Sequence, residues 1–492
     1  MESSDTQAVA PDRARDQQRE GERLEASAQT LSEAPWSTVH KVAFRFAFSY
    51  ILLYLFPISI TFGWLWGQNL AVYQLWEVPW HKIVPWFGAH VLHLSYPITM
   101  FPENSGGSDT TYDYVRVLCF VLISTVATIV WSVLDRKRSA YPMLQKWTHL
   151  YVRLVLAFTM FGYGLNKVIP NQMPPPSLST LMTPFGDLTP YRLSWSFIGA
   201  SPAYEIFAGV VETLGGILLL IPGMTMLGAL VSLGALVNVF MLNMCYGIPV
   251  KFWALHLMLF AIFLLAPDIP RLVNLFILNR GAEPERSRPL FQRRWLNNLA
   301  WAMQWGLGIY MIAGGINQGM IFHRAIKTLP VNNPLYGIWK VDEFIADGQV
   351  RPPLLTDNVR WQRMIFPSTN TLTIQEMNGQ LSPYSTEMNT QRKTLSLKTI
   401  NTAAASSPWW SEFGGAMFHP LSSPFASGGT ELNYDRPQPD AMIVEGAVNG
   451  HRVHVTLKKE ERQFILTTRP FSWINDEYDL YSEHADEINR VR

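Results

Sequence analysis

The side chains best placed to do chemistry in this chain are ionisable or polar residues embedded in apolar stretches. Within residues 150–169, Arg153, Ala157, Met160, Gly164 and Lys167 recur at spacings of four, three, four and three, which sets all five on one stripe of a helix. Within 204–221, Glu205, Gly209, Glu212 and Gly216 do the same. Small residues on such stripes let helix backbones approach closely, so the carboxylate face is expected to pack on a neighbour. Tyr163 and Asn166 flank Lys167, and two further apolar stretches carry Asn238, Asn243 and His256. Ionisable groups at bilayer depth are costly and turn toward the bundle interior. Arg153, Tyr163, Asn166, Lys167, Glu212, Asn238 and His256 therefore form a candidate intramembrane polar cluster. A carboxylate, an ammonium and an imidazole at a common depth could hold a proton or contact a ligand. Beside this stands a plainer reading: Glu212 and Lys167 as a structural pair, Arg153 as a headgroup or topology anchor, and His256 as a satisfied packing residue. No catalytic residue is assigned. The sequence holds no zinc motif, P-loop, glycine-rich dinucleotide loop or nucleophile elbow, and His451, His454 and His484 are too irregularly spaced to argue for a metal.

These side chains need helices to position them. A helix crossing the hydrocarbon takes about 20 mostly apolar residues, and that template fits 44–66, 114–134, 150–169, 204–221, 224–244, 250–267 and 295–316. Trp and Tyr crowd the ends of these runs, where amphipathic rings favour the interface. Arg136, Lys137, Arg138 and Lys146 lie in one connecting loop, and Arg271, Arg280, Arg286, Arg288, Arg293 and Arg294 in another. Both loops are expected to be cytoplasmic, and Lys41 and Arg45 put the N-terminus on the same side. The long loops 67–113 and 170–203 are then external. On that topology Glu212 lies about 12 Å below the outer surface, at about 1.5 Å per residue. With seven crossings, everything after His323 is extracytoplasmic, which places the protein in a cytoplasmic membrane.

Composition agrees. The chain of 492 residues is 48% hydrophobic and only 16% charged, with 18 Trp and 27 Phe, and its mean hydropathy is +0.07. It is too apolar and aromatic for an ordinary soluble enzyme, so the lipid bilayer is its first partner. A net charge of +1 supplies no field to attract nucleic acid. Cys119 and Cys245 both fall in apolar runs and offer neither a disulfide framework nor a metal site. The first 35 residues are polar, lack aromatics and lack the apolar core of a cleavable signal, and they read as a disordered tail.

The C-terminal part changes character. From 335 to 488 there are short alternating stretches broken by Asn, Gly, Pro and Ser, which is a β pattern. Val453, Val455 and Leu457 point one way and Arg452, His454 and Thr456 the other, while Asn449-Gly450 is a favoured hairpin turn joining this strand to 442–448. Phe464, Leu466 and Thr468 continue the alternation, and 372–375 shows it again. A single antiparallel barrel or sandwich of about eight or more strands is expected.

Residues 151–271 resemble the DoxX family, four-helix membrane proteins related to the DoxD subunit of thiosulfate:quinone oxidoreductase. The pattern is Arg153 followed by LVLAFTMFGYG with Gly164 and Lys167 in register, then Glu212, Gly215 and Gly216 before ILLLIPG, then FLLAPDIPR over 263–271. The insert between the first two of these helices is longer than the family loop. The resemblance implies a membrane protein linked to quinone or sulfur redox chemistry; quinone is then the cofactor to test, with a redox partner protein supplying or taking electrons. The C-terminal domain more weakly resembles lipocalin-like barrels: Gly337-Ile338-Trp339 matches the Gly-x-Trp of their first strand, with Arg469 placed to cap the tryptophan. That likeness implies a barrel mouth that takes an apolar ligand, a barrel filled by its own side chains, or one that meets a partner.

The expected organisation is a multi-pass α-helical bundle plus an antiparallel β domain. Residues 1–40 form a cytoplasmic tail, 41–146 two extra helices with a long outer loop, and 147–280 the four-helix core. Residues 281–322 form a cytoplasmic loop and the last crossing, and 323–492 the external β domain. Two functions fit: a quinone-linked, redox-associated membrane subunit, or a membrane-anchored sensor or assembly factor whose barrel binds an apolar ligand or a protein. Transport ranks last, because inverted repeats and paired broken helices are lacking.

Overall fold

The computed structural model describes residues 35–56, 71–98, 109–281, 291, 293–399, 430–448 and 450–468. The helical elements are α1 (Thr38–Leu55), α2 (Ala71–His90), α3 (Thr111–Leu134), α4 (Pro142–Val168), α5 (Leu178–Met182), α6 (Pro190–Gly199), α7 (Pro202–Leu220), α8 (Thr225–Cys245), α9 (Lys251–Leu265), α10 (Ile269–Phe276) and α11 (Arg294–Asn332). The strands follow, and a one-turn helix, α12 (Ile465–Thr468), comes last. Two compact units divide the described residues, one built from 35–169 and 206–320 and the other from 170–205 and 321–468.

Among the described residues of the helical unit, five helices are long and apolar enough to cross a membrane: Thr111–Leu134, Pro202–Leu220, Thr225–Cys245, Lys251–Phe276 and Arg294–Arg324. They coincide with five of the seven stretches expected from hydropathy. The other two fall on α1, described only to residue 56, and on α4. α4 is the hub of this unit. Its Val152, Leu156, Ala157, Phe158, Met160 and Phe161 are almost fully buried, packed with Ile51 and Leu55 of α1, Leu219 and Leu220 of α7, Leu257 and Phe260 of α9, and Met311 of α11. Ionisable groups can sit inside a bundle where they find partners, so α4 carries Arg153 and Lys167, each bonded to a neighbouring helix, at the expense of its mean hydropathy. The loop expected over 67–113 contains α2, a helix interrupted by Pro79 and Pro85. Those two prolines hid it from a periodicity reading. Its Trp80 and Val84 pack with Tyr112, Cys119 and Phe120 of α3.

The second unit is a closed antiparallel barrel. Strands β1 (Gly337–Ala346), β3 (Trp361–Phe366), β4 (Thr371–Glu376), β5 (Leu381–Asn389), β6 (Thr394–Thr399), β7 (Thr430–Gln438), β8 (Ala441–Val448) and β9 (His451–Glu460) pair in sequence order, and β1 pairs back with β9 to close the ring. A two-residue strand, β2 (Gln349–Val350), folds back on β1 through Asp347 and Gly348, both at positive φ (50° and 79°), the geometry of a primed hairpin turn. Closure removes the exposed edges that an open sheet would offer. Val453, Val455 and Leu457 face inward, as the alternation requires, and lie opposite Gly446, Val444 and Met442. They join Trp339, Phe344, Met364, Phe366, Leu372 and Leu432 in one apolar core.

Two sequence expectations here are corrected. Phe464, Leu466 and Thr468 do not continue a strand: β9 ends at Glu460 and α12 follows, because β9 already pairs on both sides and the closed sheet has no place for more. The insert between α4 and α7 is not a bare loop within the helical core. It forms α5 and α6, and it packs on the outside of the barrel, where Leu178, Met182 and Phe464 cover Ile338, Ile365 and Leu381. The Ser179 and Thr373 hydroxyls meet at 2.8 Å, and the Arg462 guanidinium lies 3.6 Å from Met182 Sδ. This covering explains why outward-facing Ile365, Thr373 and Gln375 are buried. Glu205, itself buried, accepts hydrogen bonds from the Gln172 and Met173 backbone N–H groups at 3.0 and 2.9 Å and ties down the start of the insert.

Candidate functional site

The α4 and α7 stripes face one another. A Cβ at Gly209 would lie 2.6 Å from both the Gly164 carbonyl oxygen and the Val168 nitrogen, and one at Gly216 would lie 2.8 Å from the Ala157 oxygen. Backbones this close need glycine at the crossing. The approach carries Lys167 onto Glu212: Nζ donates to both carboxylate oxygens at 2.6 Å, with Lys167 6% and Glu212 4% exposed. The Tyr163 ring centroid is 5.8 Å from Lys167 Nζ, within cation–π range. Unlike the pair, Tyr163 is 38% exposed.

His256 belongs to an aromatic stack. Its ring lies 3.7 Å from the Tyr54 ring and parallel to it, and Tyr54 stacks in turn toward Trp253. Nδ1 is 2.6 Å from the Phe252 carbonyl oxygen, which can only accept, so Nδ1 carries the proton and donates. Nε2 therefore accepts from the Tyr50 hydroxyl at 2.6 Å. Both ring nitrogens are satisfied, which matches the packing reading of this histidine. Tyr163 interacts with the Trp253 side chain, so an aromatic path runs from the Lys167–Glu212 pair to His256.

The remaining members of the predicted cluster lie apart from it. Arg153 is fourteen residues before Lys167 on α4, about 21 Å away along the axis. It donates to Gln304 Oε1 at 2.9 Å and Thr225 Oγ1 at 3.4 Å, while Gln304 Nε2 donates to the Leu220 carbonyl, joining α4, α7, α8 and α11. It ties these helices together. Asn166 and Asn238 are exposed, because their positions fall on the outer sides of α4 and α8. Asn243 is buried and donates to the Val250 carbonyl at 3.4 Å across the α8–α9 turn.

Several polar sites had no sequence signal. Asp109 caps α9, accepting from the Lys251 and Phe252 backbone N–H groups at 2.8 and 2.9 Å and from Lys251 Nζ at 3.2 Å. Glu77, buried on α2, accepts from Arg116 of α3 at 3.2 Å. Arg45, which sequence reading treated as a topology charge, is 3% exposed and donates to the Tyr141 hydroxyl at 2.7 Å, Ser132 Oγ at 2.9 Å and the Asp135 carbonyl at 3.0 Å. All three pairings join residues distant in sequence, which no periodicity reports.

In the barrel, Gly337 opens β1 with φ +131° and Trp339 is fully buried, its indole donating to the Leu335 carbonyl at 2.8 Å. The cations over that ring are Arg436 and Lys459, at 5.5 and 5.9 Å. Arg469 lies outside the described residues. His451 pairs with Asp347 and His454 with Glu445, each at 2.7 Å, while His484 is outside the described residues. The His451 and Arg452 N–H donors hold the Asp347 carboxyl below its ordinary value.

Among the described residues, fold and site together give five helices long and apolar enough to cross a membrane, a buried Lys–Glu pair among the helices, and a closed eight-stranded barrel. Over 150 residues the chain is 34% identical to a Bacillus subtilis (strain 168) protein named uncharacterized protein YwoB, covering 29% of this chain and 87% of that one. The chain belongs to the same family as YwoB. No family model matches the chain, and no solved structure matches it.

Proposed function

We propose that this is a DoxX-like multi-pass membrane protein that serves as a quinone-linked, redox-associated subunit. The observation that carries the reading is the Lys167–Glu212 pair, 2.6 Å apart and buried, beside the exposed ring of Tyr163. A quinone needs a hydrogen-bond donor for its carbonyl and a flat apolar surface for its ring. The Lys167 ammonium and the Tyr163 ring supply one each. Quinone reduction takes up two electrons and two protons; a separate redox partner protein supplies the electrons, and the Lys167–Glu212 pair passes the protons. The topology that goes with this reading has seven crossings, adding α1 and α4 to the five apolar helices, with the N-terminus cytoplasmic and the barrel outside a cytoplasmic membrane. The clustering of Lys and Arg at 136–146 and 271–294 supports that orientation.

The test is titration of the purified full chain in detergent with a short-tailed ubiquinone, followed by quenching of tryptophan fluorescence. Saturable quenching that is lost in Glu212→Gln and in Lys167→Met, with near-ultraviolet circular dichroism unchanged, is the expected result. Binding that both variants leave intact, or no binding to the folded wild type, overturns the reading.

A further inference from the structure

The barrel is not filled to its end. A cavity of about 240 Å³ opens among Trp361, Glu376, Tyr384, Val448, His451 and Val453. Strand register shows independently that these side chains point inward. Glu376 follows Leu372 and Ile374 at steps of two on β4, and both are core residues. Trp361 lies directly opposite Glu376, and Tyr384 directly opposite Leu372. His451 precedes Val453 by two on β9 and lies opposite Val448.

The polar side chains of this cavity are Asn358, Glu376, Tyr384 and His451. Glu376 accepts one hydrogen bond, from Ser382 Oγ at 2.8 Å on Oε1. Trp361 is its direct cross-strand neighbour, and Tyr384 lines the same cavity. His451 turns Nδ1 away to Asp347, which leaves Nε2 as its second polar atom. Neither Lys nor Arg is among the lining residues described. A carboxylate in a cavity that also holds Trp361 and Tyr384, with neither Lys nor Arg in the wall, suits the recognition of an organic cation. Val359, Ile374, Val448 and Val453 offer a surface for a hydrocarbon body, and a volume below the about 300–1,000 Å³ of drug-sized sites limits that body to a small one.

We infer that the barrel mouth binds a small organic ammonium with an apolar body, its charged head on Glu376 beside Trp361 and its body against Val448 and Val453. This site lies wholly in the barrel unit and does not depend on the quinone reading of the helices.

The experiment is calorimetric titration of the full chain in detergent with phenethylammonium, phenethyl alcohol and 3-phenylpropanoate, each corrected for partition into empty micelles. Wild type is expected to bind the ammonium saturably and at least tenfold more tightly than the alcohol or the carboxylate. Glu376→Gln keeps the shape and removes the charge; it should erase the tenfold preference while leaving alcohol binding unchanged. Val448→Trp should fill the cavity and abolish binding, while Val350→Trp, on the exposed β2, should not. If Val448→Trp fails to fold, Glu376→Gln alone decides. Equal binding of the carboxylate, a preference that survives Glu376→Gln, or no binding of any probe to the folded wild type overturns the inference.

Discussion

Lys167→Met leaves the Glu212 carboxylate 4% exposed with its ammonium partner gone, and this is the most informative single change in the helical unit. Two unit charges about 3 Å apart attract by about 5–6 kcal/mol at an effective dielectric constant of about 20. Desolvating both groups offsets most of that gain, so the intact pair contributes little net stability. Breaking it is different, because one buried group is then left uncompensated, at a cost of about 3–5 kcal/mol. The same holds for Glu212→Leu. Replacing both residues together leaves two apolar side chains of similar volume at the α4–α7 crossing, and should cost less than about 2 kcal/mol. The assay is unfolding in mixed micelles by rising denaturing-detergent fraction, read by tryptophan fluorescence for wild type, both singles and the double. The expected outcome is a double variant more stable than either single, with a coupling energy of at least about 3 kcal/mol. Additive singles, or a double variant that loses as much as their sum, would refute the pairing.

Three further changes probe other contacts. Gly209→Ala places a methyl 2.6 Å from the Gly164 oxygen and Val168 nitrogen; it should destabilise the helical unit by about 1–3 kcal/mol in the same unfolding assay. Met182→Ala removes a side chain of the insert packed on Ile338 and Ile365, and should cost about 2–3 kcal/mol in thermal unfolding while speeding proteolysis within 170–205. Asp347→Asn should destabilise the barrel at pH 7. The wild-type carboxyl is held below its ordinary value of 3.8, so its contribution is complete above that value and is lost as pH falls through the lower folded value. The gap between variant and wild type in a pH series of thermal unfolding should therefore close below pH 3.8.

What the sequence by itself determined is periodic. Runs of apolar residues located the five membrane-length helices, because length and hydropathy are local properties. Alternation at 453, 455 and 457 located β9 and its inward face, because the side-chain period of a strand is two. The stripes Gly164/Lys167 and Gly209/Glu212 were legible for the same reason, and so was the expectation that the carboxylate face packs on a neighbour.

Tertiary structure decided what lies at the same depth and on the same side. It brought Lys167 to Glu212 through a glycine crossing, but sent His256 to Tyr50 and Tyr54, Arg153 to Gln304, and Asn166 and Asn238 to the surface. A stripe gives direction around one helix and says nothing about the neighbour that meets it. It also placed 170–205 on the outer face of the barrel, since the apolar patch around Ile365 is completed only when strands far apart in the chain are paired. The Glu376 cavity has the same origin: its lining comes from β3, β4, β5, β8 and β9 and from Asn358 and Val359 just before β3, and no short span of sequence contains it.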